Sequence, residues 1–203
     1  MDSATLSHKS SPNKLSRMWR LVRSALDPRA WLHLFKIVNY YNYSHVEPMR
    51  SVTFAGARNV SPDSVFQNPD RISIGHRVRI GSRCHIWAGP SQGRIRIGDD
   101  VLFGPEVLLT AASYRYDLGH PVTDQPMAEG DIFIGNDVWL ATRAVILPGT
   151  TIGDGSIVAS GAVVRGDFPA MSVIAGSPAK IVSQRVVKEA GHDDSGSIQS
   201  NGD

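Results

Sequence analysis

The chain holds a single cysteine, Cys84, among 203 residues. No disulfide can close within it and no thiolate cluster can bind a metal, which fits a reducing compartment. No apolar run approaches the roughly 20 residues of a membrane span, and no secretory signal is visible. A cytoplasmic protein is therefore expected, with the inner face of the membrane as its furthest station. The net charge is only +2, so the field of the whole molecule selects no polyanion, and no nucleic-acid partner is expected.

What the chain does have is a six-residue period. From Ile132 to Val164 the positions Ile134, Leu140, Ile146, Ile152, Val158 and Val164 are all aliphatic. A second column stands two residues earlier, at Ile132, Val138, Ala144, Thr150, Ser156 and Ala162. Six is neither the helical 3.6 nor the plain alternation of a strand. It marks a coiled parallel β-solenoid, in which short strands meet at corners and like positions stack from coil to coil. The same phase runs through Ile72–Ile86 and Ile95–Leu109, with a weaker start near Val52. Gly-Pro-Ser-Gln-Gly at 89–93 interrupts it briefly, and Thr110–Asp131 interrupts it at length. Three hexapeptides per coil predict four to five coils. The phase places Cys84 inward and His85 outward. The glycines of "IGNDV" and "IGDGS" are then corners of the repeat and not a phosphate-cradling loop.

The ends differ from the repeat. Residues 1–50 carry +5, more than the whole chain. Leu15, Met18, Trp19, Val22, Ala25 and Leu26 share one helical face, with Arg17, Arg20 and Arg23 largely elsewhere. Asp27-Pro28 interrupts, and a second amphipathic stretch follows from Trp31 to about Tyr41. Two readings stay open for residues 15–43: helices packed over the open first coil, or interfacial helices at a membrane surface. The expected organisation is a basic helical segment over 1–49, a solenoid domain over 50–183 and a disordered polar tail over 184–203.

The segment "IGNDVWLATRAVILPGTTIGDGSIVASGAVVRGDFPAMSVIAGSPAKIV" resembles the C-terminal half of the hexapeptide-repeat acetyltransferases, among them galactoside, maltose and polysaccharide O-acetyltransferases. The likeness covers about residues 50–183. It rests on the order of three parts, "IGxxVW", "LPGxxIG" and "AGSPAK". It implies an all-β solenoid, a left-handed parallel β-helix, assembled as a homotrimer with active sites between subunits. It also implies acetyl-CoA as co-substrate, no metal, and a saccharide acceptor in polysaccharide biosynthesis, lipid-linked in some cases. A free amino-sugar, serine or xenobiotic is the alternative acceptor, and an assembly protein with weakened catalysis is the non-enzymatic alternative.

Acetyl transfer from a thioester to a hydroxyl needs a base for the hydroxyl proton and donors for the developing oxyanion. In the family the base is a histidine, a residue type whose unperturbed pKa of about 6.5 suits the task. The long interruption usually carries it. Here "SYRYD" puts Tyr114 where polysaccharide-type relatives have histidine. "GHPV" reproduces the Gly-His-Pro step of galactoside-type relatives at His120, but at altered spacing. His120, Tyr114 and His85 are the candidate bases, although tyrosine, with an unperturbed pKa of about 10, is a poor one. For the donor, the likeness points to Trp139 beside the pantetheine arm and to Thr142 and Ser160 around the thioester. It places Lys180 and Arg165 near the phosphates, with ordinary trimer packing or solvated charge as the alternatives. The rival enzyme on such a fold, a γ-type carbonic anhydrase, needs a His-x4-His step. Histidines 8, 33, 45, 76, 85, 120 and 192 offer none.

Overall fold

The computed structural model describes residues 13–187. Most of the polar tail expected after 183 lies outside the described residues. The six-residue period becomes three short strands per coil, stacked into three parallel sheets. Sheet 1 runs through Thr53–Phe54, Ile72–Ile74, Ile95–Ile97, Ile132–Ile134, Thr151–Ile152 and Asp167–Phe168. Sheet 2 runs through Asn59–Val60, Arg79–Ile80, Leu102–Phe103, Trp139–Leu140, Ile157–Val158 and Ser172–Gly176. Sheet 3 runs through Val65–Gln67, His85–Trp87, Leu108–Thr110, Val145–Ile146 and Val163–Val164. The architecture is a left-handed parallel β-helix.

In-register pairing puts like residues on top of one another. Ile80, Phe103, Leu140, Val158 and Ile174 form one inward column. Phe66, Ile86, Leu109, Ile146 and Val164 form another. All ten are buried, which removes their apolar surface from water and supplies most of the driving force for folding. Cys84 lies inside among them. The small polar members of the second column are buried with their hydrogen bonds made: the Thr150 hydroxyl donates to Leu147 O at 2.7 Å and the Ser156 hydroxyl to Pro169 O at 3.2 Å.

Five coils are complete and a sixth adds strands to two sheets, so the solenoid is longer than the four to five coils expected. Strict counting by six fails after Val164. The corner there is two residues short, and Phe168 and Ile174 take the inward places that counting would give to Ala170 and Gly176. The far end is closed by Ala179–Gln184, which folds back antiparallel onto Ser172–Gly176 and covers the sheet edge.

At the near end a π-helical turn, Asn42–Val46, and a short helix, Pro48–Ser51, cover the first coil. Ser44 and Pro48 are buried, and His45 Nδ1 lies 2.7 Å from Ser64 O. The helices before them do not take part. Lys14–Leu26 and Pro28–Tyr41 bury no residue. The packing alternative for those helices is therefore corrected: about ten residues are enough to close one triangular coil, and residues 42–51 supply them. Asp27 forms the elbow between the two helices and caps the second through Arg29 N at 2.9 Å.

Candidate active site

Every departure from the repeat leaves the solenoid at one edge, the corner where sheet 3 passes to sheet 1. Residues 68–71, 88–94 and 110–131 stack there in successive coils. The longest forms a hairpin, Ala112–Tyr114 against Met127–Glu129. Its foot packs tightly on the next corner. A Cβ on Gly130 would sit 2.6 Å from Gly149 N, so only glycine fits there. Beneath the hairpin the 88–94 turn is held from below by Arg71, which donates to Gly93 O at 3.1 Å, and by Asn68, which donates to Gly89 O.

From above, that turn is gripped by Glu129. Its carboxylate accepts from the backbone N–H of Ser91 at 3.0 Å, of Gln92 at 2.7 Å and of Gly93, and from the Ser91 hydroxyl. Desolvation pushes this carboxyl upward, but the four donors outweigh it and hold it at about 2. A depressed carboxylate stabilises the fold above its ordinary value of 4.5, and that contribution fades as pH falls toward about 2. Glu129→Gln should therefore destabilise the chain by about 1–3 kcal/mol at pH 7, because one acceptor pair becomes a donor facing N–H groups. Urea midpoints at pH 7 and pH 3 check this: the gap between variant and wild type should narrow at pH 3, and an equal gap at both would refute it.

The hairpin tip carries His120. The side chain of Gln125 is buried and staples the tip: its Nε2 donates to His120 O at 2.7 Å, and its Oε1 accepts from Leu118 N at 3.2 Å. His120 itself is exposed, with Nδ1 3.1 Å from Leu118 O. A carbonyl oxygen can only accept, so Nδ1 is the nitrogen that donates here, and in the neutral ring the lone pair is then on Nε2. Tyr114 closes the hairpin strand, half exposed, opposite Met127. His85 lies on the outer face of sheet 3 between Val65 and Leu108. Its Nε2 is buried without a hydrogen-bond partner, and burial pushes its pKa down. No hydrogen bond among the described residues joins these three side chains.

Residues singled out for the donor fall elsewhere. Trp139 is 47% exposed on the outer face of sheet 2, stacked between Leu102 and Ile157, in a groove rimmed by Arg77, Arg79 and Arg185. Thr142 and Ser160 occupy the corner from sheet 2 to sheet 3 in adjacent coils, exposed, with Gly161 N donating to Thr142 O at 3.0 Å. Lys180 is exposed on the closing strand that extends sheet 2, and Arg165 is exposed two coils beyond the hairpin at its own corner. Neither cation has an ion-pair partner among the described residues.

A family model described as bacterial transferase hexapeptide (six repeats) matches residues 131–166. Galactoside O-acetyltransferase of Escherichia coli is 30% identical over 155 residues, which cover 71% of this chain and 73% of that protein. The chain belongs to the hexapeptide-repeat acetyltransferases. Chloramphenicol acetyltransferase of Agrobacterium fabrum is 43% identical over 133 residues, 64% of this chain and 57% of that one. A solved galactoside acetyltransferase in complex with coenzyme A superposes with a TM-score of 0.57 at 27% identity, covering 77% of this chain and 81% of that one. An acetyltransferase of Vibrio cholerae complexed with acetyl coenzyme A gives a TM-score of 0.54 at 26% identity, covering 70% and 76%. Coverage of the relatives is often partial: the chain spans 59% of a Mycobacterium tuberculosis relative that is 31% identical over 198 residues.

In this hexapeptide-repeat acetyltransferase the candidate residues fall on different parts of a single copy. Trp139 and Lys180 belong to sheet 2, and the hairpin with His120 leaves the corner opposite that sheet. The columns predicted from the repeat placed Trp139 and the corners. Glu129 and Gln125 owe their importance to backbone partners, which the sequence does not display.

Proposed function

We propose that the chain transfers an acetyl group from acetyl-CoA to a saccharide hydroxyl, with His120 as the general base. The observation that carries this reading is the contact of the exposed His120, through Nδ1, with Leu118 O on a stapled loop, which in the neutral ring places the lone pair on Nε2. The acceptor hydroxyl gives its proton to Nε2 while its oxygen attacks the thioester carbon. The C–O bond forms, the C–S bond breaks, and the departing sulfur takes the proton back from the imidazolium. No covalent intermediate on the protein is needed. His85 suits this role poorly because its Nε2 is buried. The donor's pantetheine arm fits the groove beside Trp139, with Thr142 and Ser160 along the way and Lys180 or Arg165 for the phosphates.

Because Trp139 and Lys180 lie on sheet 2 and the hairpin with His120 leaves the opposite corner, a complete site needs two copies, and a homotrimer brings each hairpin against a neighbour's sheet 2. Identity to galactoside O-acetyltransferase favours a sugar acceptor, on a free or lipid-linked saccharide at the cytoplasmic side of a membrane. The higher identity to chloramphenicol acetyltransferase supports a second reading, a small hydroxylated xenobiotic as acceptor.

The test is thiol release from acetyl-CoA by the purified chain with galactosides, maltose, a lipid-linked saccharide preparation and chloramphenicol in parallel. Turnover with a saccharide well above the hydrolysis blank supports the first reading. Turnover with chloramphenicol alone replaces it by the second. Release no faster than the blank with every acceptor would defeat both.

A further inference from the structure

The two N-terminal helices do not pack on the solenoid. Lys14–Leu26 and Pro28–Tyr41 bury nothing, yet both are strongly two-faced. At about 3.6 residues per turn, Leu15, Met18, Trp19, Val22 and Leu26 share one side of the first helix, and Arg17, Arg20 and Arg23 share the other. In the second helix Trp31, Leu34, Phe35 and Val38 oppose Arg29 and Lys36. The apolar faces are open: Leu26 is 76% exposed, Trp19 68% and Phe35 67%. So large an unpartnered apolar surface on an otherwise well-packed chain marks a docking face.

Charge identifies the occupant. Residues 13–41 hold six Lys and Arg and one acidic residue, Asp27, whose carboxylate is engaged as the cap of the second helix. A second copy of the segment would bring the same six cations against them. A surface that offers apolar depth and negative charge together satisfies both faces at once, and an anionic phospholipid bilayer is such a surface. Trp19 sits at the border of the apolar side next to Arg23, where an indole meets headgroups. No helix of the described residues is long and apolar enough to cross a membrane. We infer that residues 14–41 lie flat on an anionic phospholipid surface, apolar faces in the acyl boundary and arginines on the lipid phosphates. This binding stands apart from the acetyl transfer proposed above and does not depend on it.

The experiment is flotation of the full chain with vesicles of phosphatidylglycerol and phosphatidylcholine, against phosphatidylcholine alone. The chain should float with the anionic vesicles at least about tenfold more than with the neutral ones, and less so as salt rises and screens the charges. Replacing Arg17, Arg20 and Arg23 together by Gln should weaken partition by about 100-fold. The pair Trp19→Asp and Leu26→Asp should abolish it. Neither set should move the unfolding midpoint, since these side chains are exposed. Equal partition to both vesicles, none to either, or unchanged partition of the Asp pair overturns the inference. So does a chain that ignores vesicles while the Asp pair lowers its sedimentation mass, which would assign the faces to another copy.

Discussion

His120→Ala should lower kcat for acetyl transfer by about 10²–10⁴-fold, the range that a positioned general base contributes, and leave the KM for acetyl-CoA nearly unchanged. The size follows from chemistry. A sugar hydroxyl is a weak nucleophile until its proton leaves, and no other imidazole on the hairpin can receive it. The selectivity for kcat follows from geometry, because His120 sits on the hairpin and the groove proposed for the donor lies beside Trp139 on sheet 2. Gln125→Ala acts through His120. It removes the bonds to His120 O and Leu118 N, lets the tip drift, and should reduce kcat by about 10²-fold, the loss expected from misplacement of about 1 Å. His85→Leu should leave kcat within about threefold of wild type and not lower stability, since it deletes a buried nitrogen without a partner. Full turnover by His120→Ala, with His85→Leu or Tyr114→Phe inactive, would reassign the base.

The interior of this fold could be read before any coordinates because a solenoid is nearly one-dimensional. One aliphatic in six fixes a strand, and its repetition fixes the stack, so Cys84 falls inside and His85 outside from phase alone. The long insertion was visible for the same reason, as the place where the phase stops. What the phase could not carry is anything decided by backbone partners. Glu129 meets three N–H groups and a hydroxyl in a turn about 37 residues earlier, across coils that only the folded corner brings together. Gln125 fits the loop pattern of polysaccharide-type relatives, but its two backbone partners appear only when the tip closes around it. The shortened corner after Val164 defeated counting by six, and the amphipathic helices defeated it differently: their pattern shows two faces but not what the apolar one touches.

Leu140→Ala should destabilise the chain by about 3–5 kcal/mol, near the upper end for a buried leucine. Leu140 is fully buried, with Phe103 stacked on one side and Val158 on the other. The cost of such a truncation depends on how far the site can collapse into the space left behind. Here it can hardly collapse, because strand Trp139–Leu140 is pinned between Leu102–Phe103 and Ile157–Val158 by parallel ladders on both sides. Trp139 N donates to Ser156 O at 3.0 Å, and Ala141 N donates to Val158 O at 2.9 Å. Truncation of Phe54 to Ala removes more atoms, but Phe54 lies in the first coil, is only partly buried and has a neighbouring coil on one side alone, so it should cost less. Leu140→Met, which conserves volume and can bend to fit, should stay under about 1.5 kcal/mol. Urea unfolding of the three variants gives the values directly. A loss under about 1 kcal/mol for Leu140→Ala, or one no greater than for Phe54→Ala, would mean that the coils slide to fill the gap. In a repeat protein stability is passed between neighbours. A rigid coil here therefore also fixes Trp139 and the corner of Thr142, which the proposed donor site requires.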